Sequence, residues 1–192
     1  MQTATGIDII AIGGSAGSLP VIGRIIRQLP AVPEVPVVLI IHRLKNVNSE
    51  LGRLLAGDKT IIEPEDKEPV QQNQIYLAPQ NYHLLIEADN TFSLDYSEPV
   101  NFSRPSIDES FFSIADKYGS RALGILLSGA NNDGAAGLLS IVRAGGTGIV
   151  QDPAEAEFGV MPQAAIDLSA AIKVLHEDEI ISYILKYTVP SK

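Results

Sequence analysis

The sequence contains no cysteine, few aromatic residues and no long apolar run. Without cysteine the chain can form neither a disulfide framework nor a cysteine zinc site, and it has no thiolate nucleophile. Its apolar runs, about five to seven residues long, are too short to span a bilayer. The first ten residues, MQTATGIDII, contain no lysine or arginine, unlike the start of a secretory signal peptide. These absences predict a cytoplasmic protein.

Basic residues are also scarce: 14 lysines and arginines against 23 aspartates and glutamates give a net charge of −9. Because neutralising phosphates requires a basic surface, this balance argues against a nucleic-acid-binding protein. The early part of the chain nevertheless concentrates cations, which form either a solvated face or a surface that attracts an acidic partner: Arg24, Arg27, Arg43, Lys45 and Arg53. The length of 192 residues predicts one domain over 1–192.

Short apolar runs alternate with segments of helical periodicity. IDIIAIGG, VPVVLIIH and ALGILLSG are continuous apolar runs, typical of parallel strands buried on both faces. Between the first two, SLPVIGRIIRQLP repeats isoleucines at helical spacing and ends in proline, which predicts a helix. Repeated strand–helix–strand units predict an α/β fold: a doubly wound, mostly parallel sheet with helices on both faces, a Rossmann-like three-layer arrangement.

Three local patterns add detail to this fold. Alternating residues on both sides of 89–90 predict a hairpin, placed as an antiparallel addition at one edge of the sheet. RPSIDESFFSIADKYG predicts a helix that begins with a capping box of Ser106 and Glu109 and ends at its glycine. NSELGRLLAG predicts another helix, with residue 48 or 49 as its N-cap.

Chemically active side chains follow three of the predicted strands. Ligands of an open α/β sheet bind beyond the carboxyl ends of its strands. Ser15 follows the first strand, His42 lies at the end of the second, and Asp133 lies in the loop after ALGILL. A serine hydroxyl needs an imidazole to take its proton, and the imidazole needs a carboxylate to fix its tautomer and stabilise its cation. The three residues therefore form a candidate triad for acyl transfer.

The turn at Ser15 is suited to a nucleophile. Gly13 and Gly14 let the backbone turn sharply. The N–H groups of Ala16 and its neighbours, at the start of the following helix, are candidate donors to a developing oxyanion.

Each member of the triad also has a purely structural interpretation. Ser15 or the nearby Ser18 fits a helix N-cap, His42 fits a hydrogen-bonded residue at a strand end, and Asp133 fits an Asp-Gly turn. The other two histidines do not follow a parallel strand, so neither is a candidate base. No pair of histidines has metal-ligand spacing, and we expect no metal.

The glycines of GGSAGS do not form a phosphate-binding motif. A Walker loop needs a lysine after its last glycine, and the dinucleotide fingerprint needs glycine where Ser15 and Ser18 stand. The second strand ends in His42 and Arg43, where an NAD-binding protein would place an acid. Because Arg43 could meet a 2′-phosphate, an NADP-binding domain stays open as an alternative.

Six segments resemble, in order, the catalytic domain of the bacterial chemotaxis protein-glutamate methylesterases, the CheB type. The segments read AIGGSAGS, VVLIIH, IYLAPQNYHLLI, FSRPSIDESF, LLSGANNDGAAGL and QDPAEAEFGVMPQAAI, and the resemblance covers roughly residues 8–187. RPSID and NDGAAG are the most specific. The resemblance implies a serine hydrolase that removes methyl esters from glutamate side chains of chemoreceptor signalling helices, with glutamine deamidation as a second reaction. We expect no cofactor, and contact with membranes only through the receptors.

The resemblance also implies roles for individual residues. The family's nucleophile, general base and orienting acid correspond to Ser15, His42 and Asp133. The turn around Ala130 matches the segment beside the oxyanion site. Arg43 and Arg104 are candidate substrate contacts; in the alternative interpretation, Arg104 only packs its own loop.

The chain departs from the family pattern around the triad. The segment 16–18 reads AGS where the family usually has threonine and two glycines, and 130–131 reads AN where it has methionine and glycine. Ala130 and Arg43 motivate a second hypothesis, a binding module that has kept the fold and lost turnover. The receiver domain that precedes the family's esterase is absent from this chain. We therefore expect a piece of a longer protein, a stand-alone relative, or part of a methylesterase–methyltransferase fusion.

Overall fold

The computed structural model describes residues 6–43 and 50–189. Strands and helices alternate through most of these ranges. The strands are β1 (Ile9–Gly14), β2 (Val37–Ile41), β3 (Ile61–Ile62), β4 (Ile75–Leu77), β5 (His83–Ile86), β6 (Phe92–Asp95), β7 (Ala122–Leu126), β8 (Thr147–Gln151) and β9 (Lys173–Leu175). The α-helices are α1 (Leu19–Gln28), α2 (Leu51–Ala56), α3 (Ile107–Tyr118), α4 (Ala135–Arg143), α5 (Val160–Ile166) and α6 (Glu177–Thr188). Within the described ranges, no helix combines the length and apolarity needed to cross a membrane.

Seven of the strands form one parallel sheet in the order β3-β4-β2-β1-β7-β8-β9. The chain leaves β1 toward β2 on one side and later returns to β7 on the other, so the strand order reverses at β1. In doubly wound folds, ligands bind in the crevice at such a reversal, beyond the carboxyl ends of the strands. The predicted doubly wound parallel sheet is confirmed.

The core lies on both faces of this sheet because successive strand residues point to opposite sides. In β1, Ile9 and Ala11 pack into the core that includes residues of α3, α4 and α5, while Ile10 and Ile12 pack into the core of α1 and α6. The apolar stripe of α1 is buried in the second of these cores, as its spacing predicts. The β1 run is therefore apolar throughout because neither face meets water.

The predicted hairpin forms, but its placement at the edge of the sheet is wrong. β5 and β6 pair with each other in a separate two-stranded antiparallel sheet. Two of their outward-facing N–H groups bond to side chains: the Ile86 N–H donates to Ser113 Oγ of α3 (3.0 Å), and the Leu94 N–H donates to Asp66 Oδ1 (3.0 Å). The hairpin thus packs against α3.

The helix predicted from NSELGRLLAG is present as α2 and ends before Gly57. Its predicted N-cap, residue 48 or 49, lies outside the described residues. The two-residue strand β3 was not expected from the sequence, because two isoleucines carry no recognisable period.

Candidate active site

Ser15 directly follows β1 and is held in a tight turn. Its N–H donates to the Ser128 carbonyl (2.9 Å), and its own carbonyl accepts both the N–H (3.0 Å) and the Oγ–H (2.7 Å) of Ser18. The N-cap of α1 is Ser18, so the interpretation of Ser15 as the helix cap is wrong. The Ser15 hydroxyl is therefore free of a capping role.

Two glycines of this turn are sterically required. A Cβ on Gly14 would lie 2.6 Å from the Ser18 Cβ, in the side chain that holds the Ser15 carbonyl. Gly17 has φ +77°, a conformation that L side chains rarely adopt, and its Cβ would meet both Glu157 Cβ and Ser128 Oγ at 2.7 Å. The small residues thus let the turn pack closely between α1 and the loop after β7.

The three residues of the predicted triad form one hydrogen-bonded chain. Ser15 Oγ lies 3.1 Å from His42 Nδ1, and His42 Nε2 lies 2.7 Å from Asp133 Oδ2. With the proton on Nε2, the ring donates to the carboxylate and its Nδ1 lone pair accepts the serine proton. The His42 side chain is 11% exposed and Asp133 is fully buried, so the chain runs from the surface into the interior. A serine, an imidazole and a carboxylate in this order can perform nucleophilic acyl transfer.

Asp133 lies in the loop before α4, and its carboxylate faces the N-terminus of α3. The first N–H groups of a helix have no partner within the helix. Besides His42, the carboxylate accepts hydrogen bonds from Ile107 N (2.7 Å), Ser106 Oγ (2.9 Å), Asp108 N (3.1 Å) and Asn101 Nδ2 (3.4 Å). Burial alone would raise the pKa of Asp133, but the hydrogen bonds from His42 and Ile107 outweigh burial and keep the pKa below its ordinary value. The carboxylate is therefore held as an anion facing His42.

Known proteins resemble this chain in both sequence and fold. The family model described as CheB methylesterase matches residues 10–184. The chain belongs to the CheB methylesterase family. The crystal structure of the CheB methylesterase catalytic domain of Thermotoga maritima superposes with a TM-score of 0.88 at 30% identity, covering 94% of this chain and 98% of that chain. The family assignment favours the esterase over the NADP-binding alternative.

Related sequences carry both activities in their names. A Leptospira interrogans protein, provisionally named protein-glutamate methylesterase/protein-glutamine glutaminase, is 40% identical over 181 residues, which cover 93% of this chain and 94% of the relative. A Bordetella pertussis protein named protein-glutamate methylesterase/protein-glutamine glutaminase is 35% identical over 189 residues, covering 95% of this chain and 53% of the relative. The chain thus spans nearly all of one relative and about half of the other.

Several site residues of this CheB methylesterase family member were not found from its sequence. Asp108 is buried beside Asp133, and its Oδ1 accepts the Gly137 N–H at 2.7 Å. Burial, together with the negative charge of Asp133, raises the pKa of Asp108 to about 6 even though the Gly137 hydrogen bond lowers it. Asn101 Nδ2 lies 3.4 Å from one oxygen of each aspartate and bridges them. A pair of aspartates 25 residues apart has no recognisable spacing in the sequence.

Ser103 brings a second hydroxyl to His42. Its Oγ lies 3.2 Å from His42 Nδ1, nearly the same distance as Ser15 Oγ. A neutral Nδ1 has one lone pair, so only one of the two hydroxyls can donate to it at a time. Ser103 precedes the RPSID segment, and that neighbourhood is the one sequence signal that could have suggested it.

His83, which was not a candidate base, lies beside the site and contacts the start of α3. Its Nδ1 accepts the Ser106 N–H (3.1 Å), and its Nε2 donates to the Glu98 carbonyl (3.1 Å). The Ser106 Oγ accepts the Glu109 N–H (3.4 Å), as predicted, but the reciprocal half of the capping box is wrong because the Ser106 N–H is bonded to His83. The other histidine, His176, is the N-cap of α6.

The remaining predicted site residues lie around this centre with differing roles. Ala16 and Ala130 are exposed in the two loops that flank Ser15, and the Ala16 carbonyl accepts from Ser128 Oγ (2.8 Å). The Arg104 guanidinium donates to the Tyr96 carbonyl (3.1 Å) and stacks over the Tyr96 ring at 4.0 Å. Arg43 forms an ion pair with Glu63 (2.6 Å). Both arginines are thus engaged within the fold, and their contact with substrate stays a prediction.

Proposed function

We propose that this chain is a serine esterase that hydrolyses γ-glutamyl methyl esters of proteins. The observation that carries the proposal is the chain of hydrogen bonds from Ser15 through His42 to Asp133 in a member of the CheB methylesterase family. The relatives' names indicate glutamine deamidation as a second reaction, since attack at the same carbonyl carbon would release ammonia instead of methanol.

The first half of the reaction acylates the enzyme. Ser15 Oγ attacks the γ-carbonyl carbon while His42 Nδ1 takes the hydroxyl proton, and the imidazolium that forms is stabilised through Nε2–H by Asp133. Backbone N–H groups near Ala16 and Ala130 donate to the oxyanion. When the tetrahedral intermediate collapses, the bond to the methoxy oxygen breaks, and His42 returns the proton so that methanol leaves.

The second half of the reaction repeats these steps with water. His42 takes a proton from a water molecule, whose oxygen attacks the acyl carbon, and the same proton then returns to Ser15 Oγ as the ester bond breaks. The products are the free serine and a glutamic acid side chain, which releases its proton to water and becomes the carboxylate. No step needs a cofactor.

The biological setting is part of the same proposal. The substrates are methylated chemoreceptor signalling helices, and the enzyme acts from the cytoplasm, meeting the membrane only through those receptors. Residues 1–192 form its catalytic domain.

Methanol release from a methylated chemoreceptor fragment tests the proposal. Ser15→Ala should lower turnover by roughly ten-thousandfold or more, because the remaining backbone donors cannot replace the nucleophile. Ser182→Ala, which changes an exposed serine of α6, should leave turnover unchanged. Turnover of Ser15→Ala equal to wild type would refute the assignment.

The alternative of a binding module without turnover is tested separately. A fluorophosphonate reagent should label Ser15 in the wild-type chain, because phosphonylation needs a serine activated by His42. A chain that binds the methylated fragment and takes up no label would be such a module.

A further inference from the structure

One residue beside the active site is both conformationally strained and almost completely exposed. Phe102 has φ +63° and is 98% exposed. Bulky L residues are disfavoured in the left-handed region, and an apolar ring that is exposed to water contributes no free energy of burial. Neither feature stabilises the isolated chain, and such outliers cluster at functional sites.

The turn that carries Phe102 is tight and well defined. The backbone groups of Val100 and Ser103 bond to each other in both directions (3.1 and 2.8 Å), which leaves Asn101 and Phe102 as the two central residues. Both have positive φ, as in a type I′ turn, in which the second central residue is usually glycine. Phenylalanine therefore occupies a place where turn geometry alone favours glycine.

The same turn is attached to the catalytic residues on both sides of Phe102. Asn101 Nδ2 reaches Asp133 Oδ1, and Ser103 Oγ reaches His42 Nδ1. The Ser103 and Ser15 hydroxyls contact the same ring nitrogen, so Phe102 is the chain neighbour of a residue whose side chain meets the reacting group. Phe102 thus stands directly between two residues whose side chains contact the triad.

Exposed apolar side chains also occur on the segments next to the Ser15 turn. Phe158 and Val160 are exposed, and the backbone of Phe158 bonds to Ser128 and Gly129, in the loop that also holds the Ser15 N–H. Leu19 is exposed at the start of α1, four residues after the nucleophile. Exposed apolar residues thus occur on the segments that adjoin Ser15 as well as on the turn that carries Phe102.

We propose that Phe102 is a specificity-determining residue that binds an apolar side chain of the protein substrate next to the glutamyl methyl ester. This inference rests on the proposed esterase function. A protein substrate that brings its ester to Ser15 would cover the Phe102 ring, so the apolar contact forms only with the protein. A small ester reaches Ser15 without touching the ring.

The experiment compares two substrates, a methylated chemoreceptor fragment and p-nitrophenyl acetate. Phe102→Gly should lower kcat/KM for the fragment by roughly 10- to 100-fold, mainly by raising KM. A loss of this size is expected when one buried phenylalanine contact is removed. The variant's kcat/KM for p-nitrophenyl acetate should stay within about twofold of wild type, and its Tm should hold or rise by up to about 3 °C because the turn is relieved.

Two further variants complete the test. Phe102→Leu, which keeps an apolar side chain, should retain most of the activity on the fragment. Val32→Ala, at an exposed apolar residue in the loop before β2, should leave kcat/KM unchanged for both substrates. Equal kcat/KM of Phe102→Gly and wild type on the fragment would overturn the inference and leave the Ser15 chemistry standing. A wild-type chain inactive on both esters would instead contradict the proposed function.

Discussion

Asp108 should make the stability of this protein depend on pH in a defined window. Its side chain is 6% exposed, and its pKa is raised from 3.8 to about 6, first by burial and then by the charge of Asp133. The folded chain therefore binds the carboxyl proton of Asp108 more tightly than the unfolded chain does. The stability that the protonated carboxyl contributes is fully present below about pH 3.8 and is lost as the pH rises through about 6.

The size of the effect follows from the separation of the two pKa values. They differ by about two pKa units, each worth about 1.4 kcal/mol, so ionising Asp108 in the folded chain costs about 3 kcal/mol. Asp108→Asn replaces the carboxyl with a neutral group of the same shape, and its Oδ1 can still accept the Gly137 N–H. The variant should therefore resemble wild type near pH 4 and exceed its free energy of unfolding by about 3 kcal/mol at pH 7.5.

Urea unfolding at intervals between pH 4 and 7.5 measures this difference. Asp133 has a lowered pKa, so its own contribution is present above about pH 3.8 and is lost only as the pH falls through its folded-state value. It stays nearly constant over the chosen range. Asp116→Asn, at an exposed position of α3, serves as control and should follow wild type within about 0.5 kcal/mol. Parallel curves for wild type and Asp108→Asn would refute the reasoning.

Two further predictions concern Asp133 and the turn at Ser15. Asp133→Asn should lower methanol release roughly ten-thousandfold and the free energy of unfolding by about 2–4 kcal/mol, since in either orientation its amide NH₂ would face a backbone donor, the Ile107 N–H at the Oδ2 position or the Asp108 N–H at the Oδ1 position. Methanol-release kinetics and urea unfolding measure the two effects. A loss of activity with an unchanged free energy of unfolding would contradict the predicted loss of stability. Gly17→Ala should lower Tm by roughly 5 °C in calorimetry, because its Cβ would lie 2.7 Å from Ser128 Oγ. The control is Gly6→Ala, whose Cβ would meet no described atom within 4 Å; equal shifts would contradict this prediction.

The meeting of Ser15 and His42 could be predicted from the sequence because it follows from strand geometry. β1 and β2 are parallel neighbours, and their register pairs Gly14 with Ile41. The next residue of each strand is therefore brought to the same edge of the sheet. In the sequence, each of two apolar runs ends in a polar residue. Because the carboxyl ends of parallel strands lie at the same edge of a sheet, this pattern predicts that the two polar residues meet.

The support of Asp133 could not be predicted in the same way. The sequence indicates that a helix begins after Ser106, but it does not indicate which loop that helix end faces. The contact joins residues 26 positions apart along the chain and depends on how α3 packs across the sheet. The turn at Asn101 and Phe102 was missed for a local reason, because it lacks the glycine by which such turns are recognised.

The two buried aspartates at the start of α3 show how their surroundings assign their roles. Asp133 faces Ile107 N–H, Asp108 N–H and His42, and these donors stabilise its anion, whereas Asp108 has the Gly137 N–H and a negative neighbour. Their pKa values are therefore driven in opposite directions, downward for Asp133 and upward for Asp108. As the pH falls through about 6, the proton goes to Asp108 first, which removes the repulsion between the two carboxylates while Asp133 stays ionised. The carboxylate that stabilises the His42 imidazolium in the proposed mechanism thus keeps its charge through the pH range in which Asp108 loses its own.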